Sequence, residues 1–181
     1  ILGLTVQDAL RKGIAYIPES RELDGLIGSF TIAENLILDV HDLAPVASRG
    51  QLNNDYINQN STKLVKEFDI RTQSIFDNVS ALSGGNKQKV VLARELSRDV
   101  KLVVASQPTR GLDVGSIEFV YEKLLSERSA NRAILLISSE LDEVLELADR
   151  IAVIYKGEIV GEVGPDVSRE KLGLMMAGIK Q

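Results

Sequence analysis

The sequence contains no cysteine and no tryptophan, and only 4% of its residues are aromatic. The lack of cysteine excludes a disulfide framework and metal sites built from thiolates. The net charge of −5 at pH 7 means that the chain lacks the basic surface on which non-specific nucleic-acid binding depends, so we expect no nucleic-acid partner. The longest apolar runs reach about five residues, far short of the ~20 that a membrane-spanning helix needs.

What the sequence does contain is an alternation of short apolar segments with amphipathic ones. With 181 residues, of which 44% are hydrophobic, the chain is long enough to bury a sizeable core. The segments at 14–17, 102–105 and 133–138 predict strands buried on both faces, with helices between them and a hairpin at 151–163. The predicted fold class is therefore α/β, a mostly parallel sheet with helices on both faces.

Residues 18–80 interrupt this alternation with a predicted helical insert. Within the insert, Thr31 and Glu34 form a capping box, which predicts the start of a helix. The mixed charge of RELDGL at 21–26 and the Pro, Ser and Gly content of 41–51 are typical of exposed loops. These two stretches are therefore expected to be solvated.

The stretch LSGGNKQK at 82–89 begins a predicted helix with a serine and two glycines. Ser83 can cap this helix, and Gly84 and Gly85 let backbone N–H groups approach an anion at its positive end. Ser-Gly-Gly is also common as an ordinary helix cap without a ligand. The motif alone leaves both interpretations open.

The stretch LVVASQPTRGLDVG at 102–115 reads as a buried strand followed by a turn. In open α/β sheets, ligands bind just beyond the carboxyl ends of the strands. The strand at 102–105 therefore delivers Ser106 and Gln107 to the place where chemistry usually occurs. Neither side chain is a carboxylate.

Together these stretches resemble the ATP-binding subunits of ABC transporters, which have a P-loop NTPase fold with a helical subdomain. LSGGNKQK is similar to the family's signature motif, and LVVASQPTRGLDVG is similar to its Walker B strand with the D-loop attached. LLISSELDEVLELADR resembles the segment with the switch histidine, and GIAYIPESRELDGLIGSF resembles the Q-loop. The resemblance covers about residues 1–165. The residues within these motifs resemble those of the second nucleotide-binding half of fused importers for ribose-type simple sugars or nucleosides. Of the two, they favour the nucleoside importers.

The chain contains no G-x-x-x-x-G-K-[ST] motif, the P-loop that precedes the Q-loop in this family. The resemblance therefore implies a chain truncated before the Q-loop, with the P-loop segment missing. The segments that it implies are 1–17 as the end of the core before the Q-loop, 18–80 as the helical subdomain, 81–165 as the signature helix, Walker B, D-loop and switch region, and 166–181 as a C-terminal helix. Alone, the chain is expected to bind no ATP tightly and to be inactive as an ATPase.

The chain departs from the family pattern at its own ATP site. Ser106 stands at the position of the aspartate that holds Mg²⁺, and Gln107 stands at that of the catalytic glutamate. An amide can orient a water molecule but cannot accept its proton, and general-base catalysis typically contributes about 10²–10⁴-fold. Ser139 stands at the switch histidine position, and Glu19 stands at the Q-loop glutamine position, where it could still meet a metal. This half's own site is therefore expected to be degenerate.

The residues that act on a partner's site are intact. In the family, two halves pair head to tail, so Ser83, Gly84 and Gly85 would complete an ATP site whose P-loop belongs to the other half. Asp113 matches the D-loop aspartate that crosses this interface. It is equally suited to cap the helix that follows it, and both roles stay open.

The resemblance also implies ligands and partners. ATP and Mg²⁺ are expected in the intact dimer, with none bound tightly to this chain. The expected partners are the other nucleotide-binding half, the membrane-spanning permease subunits and, indirectly, a solute-binding protein, at the cytoplasmic face of the cell membrane. The alternatives are a non-catalytic interaction module and a soluble ABC-type protein that acts on nucleic acid or ribosomes. His41 is expected to be a surface residue, and Met175 and Met176 are expected to pack rather than bind a ligand.

Overall fold

A computed structural model describes residues 3–179 of the chain. The helices Val6–Arg11 and Ile32–Leu36 begin at capping boxes, in which Thr5 or Thr31 accepts a hydrogen bond from the backbone N–H three residues further on. No helix among the described residues is long and apolar enough to cross a membrane. The elements along the chain are α1 (Val6–Arg11), β1 (Ile14–Ile17), a π-helical turn (Arg21–Gly25), α2 (Ile32–Leu36), β2 (Ala47–Ser48), β3 (Gln51–Leu52), α3 (Asn54–Glu67), a 3₁₀ turn (Val79–Ala81), α4 (Gly84–Leu96), β4 (Leu102–Ser106), α5 (Val114–Ser129), β5 (Ala133–Ile137), α6 (Leu141–Leu147), β6 (Ile151–Tyr155), β7 (Glu158–Val163) and α7 (Arg169–Met176).

The main sheet has the strand order β1-β4-β5. Strands β1 and β4 pair in parallel, with Ile14 opposite Leu102 and Ile17 opposite Ala105. Parallel strands carry their carboxyl ends to the same edge of a sheet. The residues that follow Ile17 and Ala105 therefore begin side by side, and this register brings two of the predicted motifs together.

The chain divides into two compact units, described here over 3–135 and 136–179. In the first unit, the core is built around α4, which contacts β1, the π-helical turn, α2, α3 and α5. Val90, Val91 and Leu92 have no solvent exposure, and the helix stays buried through Leu96. Burying each Val or Leu side chain contributes about 1.5–3 kcal/mol. The C-terminal half of α4 is therefore held firmly in place.

In the second unit, the antiparallel hairpin of β6 and β7 packs against α7. Its buried core consists of Ile151, Val153, Leu172 and Met175. Met175 therefore has the packing role expected of it. The same expectation is wrong for Met176, which is 38% exposed because it lies on the outer side of α7.

A group of charged side chains is buried where α4 meets β1. One oxygen of Glu95 accepts hydrogen bonds from the Tyr16 backbone N–H at 3.1 Å and from Arg98 Nη2 at 2.8 Å. Arg98 Nη2 also donates to the Ile14 carbonyl at 3.2 Å. The other oxygen of Glu95 accepts from Arg94 Nε and Nη2, at 3.1 and 3.0 Å. The polar backbone groups on the outer side of β1 are thus bound by side chains of α4.

The same charged group ties α4 to the insert. Arg94 Nη1 donates to the Gly25 carbonyl at 2.8 Å, and Asp39 lies 3.6 Å from Arg94 Nε. Burial raises the pKa of the Glu95 carboxyl above its usual range, and the negative charge of Asp39 acts in the same direction. The two guanidinium groups oppose this shift by stabilising the ionised form.

Two of the stretches predicted as solvated loops contain regular structure. Residues 21–25 form the π-helical turn, which Ser20 caps by accepting from the Leu23 N–H at 3.2 Å. Residues 41–51 include the start of a two-stranded hairpin, β2 with β3. Arg49 and Gly50 both have positive φ, at 52° and 78°, which matches the two-residue turn of a tight hairpin. The prediction of loops was wrong there because both turns depend on local hydrogen bonding that composition does not reveal.

Burial of the main sheet also differs from the expectation of two covered faces. Ala15 and Ile17 have no exposure, whereas Tyr16 between them is 52% exposed. In β5, Leu135 is also 52% exposed. Successive side chains of a strand point to opposite faces. Within the described residues, therefore, only one face of β1 is fully buried.

Replacing Glu95 by alanine should destabilise the chain, because buried Arg94 and Arg98 lose their nearer carboxylate partner and keep only Asp39, at 3.6 and 3.5 Å. Removing one member of a buried ion pair typically costs about 3–5 kcal/mol, and we expect that loss in the free energy of unfolding in urea. The control is Glu22→Ala, since Glu22 is 57% exposed and pairs with Lys87 on the same helix. Exposed pairs contribute about 0–1 kcal/mol. Equal losses for the two variants would contradict this account of the buried group.

Candidate functional site

The carboxyl ends of β1 and β4 place Glu19 and the residues after Ala105 at one edge of the sheet. The Glu19 carboxylate forms an ion pair with the Arg110 guanidinium. The Arg110 backbone N–H donates to the Gln107 carbonyl at 3.1 Å, which closes a turn after β4. The fold thus brings Glu19 into one small region with Gln107 and Arg110, from which it is distant in the sequence.

Gln107 has an unusual backbone conformation. Its φ is 47°, in the left-handed region that only a few per cent of non-glycine residues adopt. Ser106, the last residue of β4, is half-buried, and Pro108 after the turn is buried. Such strained residues cluster at functional sites, where the surrounding structure holds them in place. No sequence pattern at this position indicated a positive φ.

The residues at this edge do not fit a magnesium site. Mg²⁺ is bound by oxygen ligands, chiefly carboxylates and waters. Across residues 3–179, no group of three or more His, Cys, Asp or Glu side chains is placed to hold a metal ion. The carboxylate at the Q-loop position, Glu19, forms an ion pair with Arg110, and both side chains are exposed.

The start of α4 has the geometry of a capped helix. Ser83 Oγ accepts from the Asn86 backbone N–H at 3.4 Å and from Asn86 Nδ2 at 3.0 Å. Within the described residues, the N–H groups of Gly84 and Gly85 donate no hydrogen bond, as is usual for the first turn of a helix. Unpaired N–H groups and the helix dipole together favour an anion at this end.

Each glycine at this helix start also lies close to a side chain from another segment. A Cβ at Gly85 would overlap the Ser116 hydroxyl oxygen and lie 3.1 Å from the Ser116 Cβ. A Cβ at Gly84 would lie 2.9 Å from Arg21 Nη2. Sequence reasoning attributed both glycines to the approach of an anion. The structure gives each a second reason, the close approach of another segment.

Asp113 caps α5. Its carboxylate accepts from the Ser116 backbone N–H at 3.0 Å and from the Ser116 hydroxyl at 2.8 Å. These hydrogen bonds, the one from the hydroxyl first, lower the pKa of the Asp113 carboxyl. The capping role is therefore confirmed, and the side chain remains exposed beside Gly85.

The starts of α4 and α5 flank one cleft of about 330 Å³. Ser83, Gly85, Asn86, Asp113 and Ser116 all line it. The residues predicted from the signature and D-loop motifs, apart from Gly84, thus share one open surface. Their convergence follows from the close packing of Gly85 on Ser116.

Ser139 belongs to the second compact unit, where it precedes α6 and is exposed. His41 is exposed, as expected, and its Nδ1 lies 2.7 Å from the Leu38 carbonyl. Sequence reasoning missed Arg21 and Arg110. Both lie in stretches whose charge alone is typical of a solvated surface, and no motif singled them out.

The capped helix start, the loop after β4 and the parallel sheet are together typical of the ATP-binding domains of ABC proteins. A model of the family described as ABC transporter matches residues 3–110, more than half of the chain. The chain therefore belongs to the ABC transporter family.

Within this family, the chain is similar to import ATP-binding proteins. It is 43% identical to the guanosine import ATP-binding protein NupO of Bacillus subtilis (strain 168), over all of this chain and 36% of that protein. It is 43% identical to the nucleoside import ATP-binding protein NupA of Lactococcus lactis subsp. cremoris (strain MG1363), over 92% of this chain and 33% of that protein. The ribose import ATP-binding protein RbsA 2 of Rubrobacter xylanophilus (strain DSM 9941 / JCM 11954 / NBRC 16129 / PRD-1) is 37% identical, over 96% of this chain and 33% of that protein. The chain spans about a third of the length of these relatives.

A solved structure shares the fold. It is the dimeric structure of a post-hydrolysis state of the ATP-binding cassette MJ0796 bound to ADP and Pi, and it superposes with a TM-score of 0.70. The sequences are 20% identical, and the match covers 92% of this chain and 70% of that one. The predicted fold class, the P-loop NTPase fold of ABC ATPases, is confirmed.

Replacing Gly85 by alanine should destabilise the chain, because the new Cβ meets Ser116. Overpacking of this kind typically costs about 1–3 kcal/mol, which urea unfolding can measure. In a Ser116→Gly background the two nearest obstructing atoms are gone and only Asp113 Oδ2 remains, at 3.3 Å, so the same substitution should cost less than half as much. Gly115→Ala is the control, since a Cβ there meets nothing nearer than Asp113 Oδ1 at 3.6 Å. An equal cost of Gly85→Ala in both backgrounds would refute the steric explanation.

Proposed function

We propose that this chain is the second, C-terminal nucleotide-binding half of the ATP-binding subunit of an importer for nucleosides or simple sugars. The observation that carries the proposal is the start of α4, where Ser83 caps the helix and the Gly84 and Gly85 N–H groups are unpaired within the described residues. The names of the similar proteins, which refer to guanosine, nucleoside and ribose import, support the class of solute. Two of them at 43% identity favour nucleosides.

In this proposal, the start of α4 acts on an ATP molecule bound to a partner half. The N–H groups of Gly84 and Gly85 donate to its terminal phosphate, and the helix dipole adds to the attraction. These donors are held in place before the nucleotide arrives, because Gly85 is packed against Ser116. Preorganised donors stabilise developing charge without reorganisation. Asp113 lies in the same cleft, where it can meet the partner across the interface.

The chain's own ATP site is degenerate in this proposal. Ser106 brings no charge for a metal, Gln107 cannot accept a proton from water, and Ser139 is too short to replace a histidine. The Glu19–Arg110 ion pair supports this, because it occupies the carboxylate that could otherwise serve a metal. ATP and its Mg²⁺ are therefore held by the partner half, and this chain contributes no metal ligand.

Membership of the family supports a proposal for the wider assembly. We propose that the intact subunit, meaning the full-length protein that contains this sequence, works with permease subunits at the cytoplasmic face of the membrane. A solute-binding protein would act on it indirectly. We assign residues 18–80 to the helical subdomain, with core segments at 1–17 and 81–165 and a C-terminal helix at 166–181. Residues 1, 2, 180 and 181 lie outside the described part of these segments.

A second candidate is a non-catalytic interaction module, in which this half only holds its partner in register. It is favoured by the ion pair between Glu19 and Arg110, which stabilises the strand-end loop without any ligand. Counting bound and hydrolysed nucleotides per intact subunit separates the two. No nucleotide bound at the α4 start would favour the module, whereas a nucleotide hydrolysed there would favour the first candidate.

The chain alone should release no phosphate from ATP above a blank. The reason is the absence of a P-loop motif from the sequence, together with Ser106, Gln107 and Ser139 at the positions of acid and base groups. The measurement is phosphate release with the purified chain at millimolar ATP and Mg²⁺. Release that is abolished by Gln107→Ala in this same chain would contradict the proposal, because it would show a working site here.

In the intact subunit, Ser83→Arg should be far more damaging than Gln107→Ala. The arginine removes the cap of α4 and places a bulky cation where the partner's nucleotide must approach. Losing donors of this kind typically costs about 10²–10³-fold in rate, whereas Gln107 has no base function to lose. Solute uptake and ATPase rate at matched expression measure both variants. A worse defect for Gln107→Ala would show that the roles of the two sites are reversed.

A further inference from the structure

We propose that Arg21 is a positioning residue that fixes the start of α4 against the loop that follows β4. The structural part of this inference stands on contacts within the chain. Its consequence for ATP turnover rests on the proposed function above, in which the start of α4 serves a nucleotide held by a partner half.

The Arg21 guanidinium touches both segments at once. Its Nη1 donates to the Arg110 carbonyl at 3.0 Å, in the loop after β4. Its Nη2 fills the space beside Gly84, at 2.9 Å from the point where a Cβ would stand. Its Nε is buried and has no hydrogen-bond partner within residues 3–179. A half-buried side chain with a rigid planar head therefore spans the gap between two motifs.

The helix dipole gives no reason for a cation at this place. A positive charge near the N-terminus of a helix is disfavoured by the helix dipole, and the first turn of α4 contains no acidic side chain. The carboxylate next in sequence, Glu22, pairs with Lys87 instead. The position of Arg21 is therefore explained by the bridge that it forms, rather than by a local ion pair.

The bridge links the start of α4 to the strand-end region. The Arg110 carbonyl accepts a hydrogen bond from Arg21, and the Arg110 guanidinium forms an ion pair with Glu19. A displacement of Arg21 would thus remove its contact with Gly84 at the start of α4 and its hydrogen bond to the turn that contains Gln107. Errors of about 1 Å in the placement of reacting groups can cost about 10²-fold in rate. Arg21 would therefore influence turnover through the positions of Gly84 and Arg110.

The structural test is a double-mutant cycle on the chain itself. Gly84→Ala should lower the urea midpoint, because its Cβ displaces Arg21 from the Arg110 carbonyl. In an Arg21→Ala background this displacement has already occurred, so Gly84→Ala should lower the midpoint less than half as much. Additive effects of the two substitutions would overturn the proposal, whatever the intact subunit does.

The functional test uses the intact subunit and its ATPase kinetics. Arg21→Ala should lower kcat by about 10- to 100-fold with KM changed less than threefold, since a misplaced helix start weakens transition-state contacts more than nucleotide capture. Arg21→Lys should restore little of the lost kcat. The lysine ammonium keeps the charge, but it cannot contact both segments at once as the two Nη groups of the guanidinium do.

Glu22→Gln is the matched control, since the Lys87–Glu22 pair joins the same turn to the same helix without contacting Gly84 or Arg110. It should leave kcat within about twofold, because the Glu22 carboxylate is exposed and the substitution keeps its shape. Equal losses for Glu22→Gln and Arg21→Ala, or full rescue by Arg21→Lys, would overturn the positioning role. A wild-type subunit with no ATPase activity would count against the proposed function instead, and the stability cycle would still decide the contact.

Discussion

The first unit depends on one constraint, the burial of the C-terminal half of α4. Side chains from Val90 to Leu96 are enclosed by a strand and by helices of the insert. A helix is a stiff rod, so fixing one half also fixes the direction in which the other half projects. The capped start at Ser83 reaches the cleft because of packing that occurs more than a full turn away. The position of the helix start is therefore set by packing in the core rather than by the few contacts at the site itself.

Much of this arrangement can be predicted from sequence, because the deciding signals are short-ranged. The Thr31–Glu34 capping box, the Ser83 cap and the apolar strand at 102–105 each depend on neighbours within a few residues, and all appear in the structure. The contacts that sequence reasoning missed are of another kind. Arg21 lies 63 positions before Gly84 and 89 before Arg110, so only the folded chain brings them together. No local pattern encodes such a pairing.

The glycines of the signature stretch show how a correct prediction can have an incomplete reason. Sequence reasoning assigned them to the approach of an anion, which concerns only the backbone N–H groups. The structure adds that each glycine lies under a neighbouring side chain, Ser116 in one case and Arg21 in the other. The two demands are compatible, since a surface without a side chain admits a neighbour on one side and a ligand on another. A motif can thus be maintained by packing and by chemistry at the same time.

The outer side of β1 has a consequence for solubility. Its Tyr16 N–H and Ile14 carbonyl are bound by Glu95 and Arg98, so they are not available to another strand. Exposed strand edges with free N–H and carbonyl groups are templates for pairing between molecules. Here two groups of this edge are bound by side chains of one helix, without an extra strand or covering loop. The charged group buried between α4 and β1 therefore also limits strand pairing at these two groups.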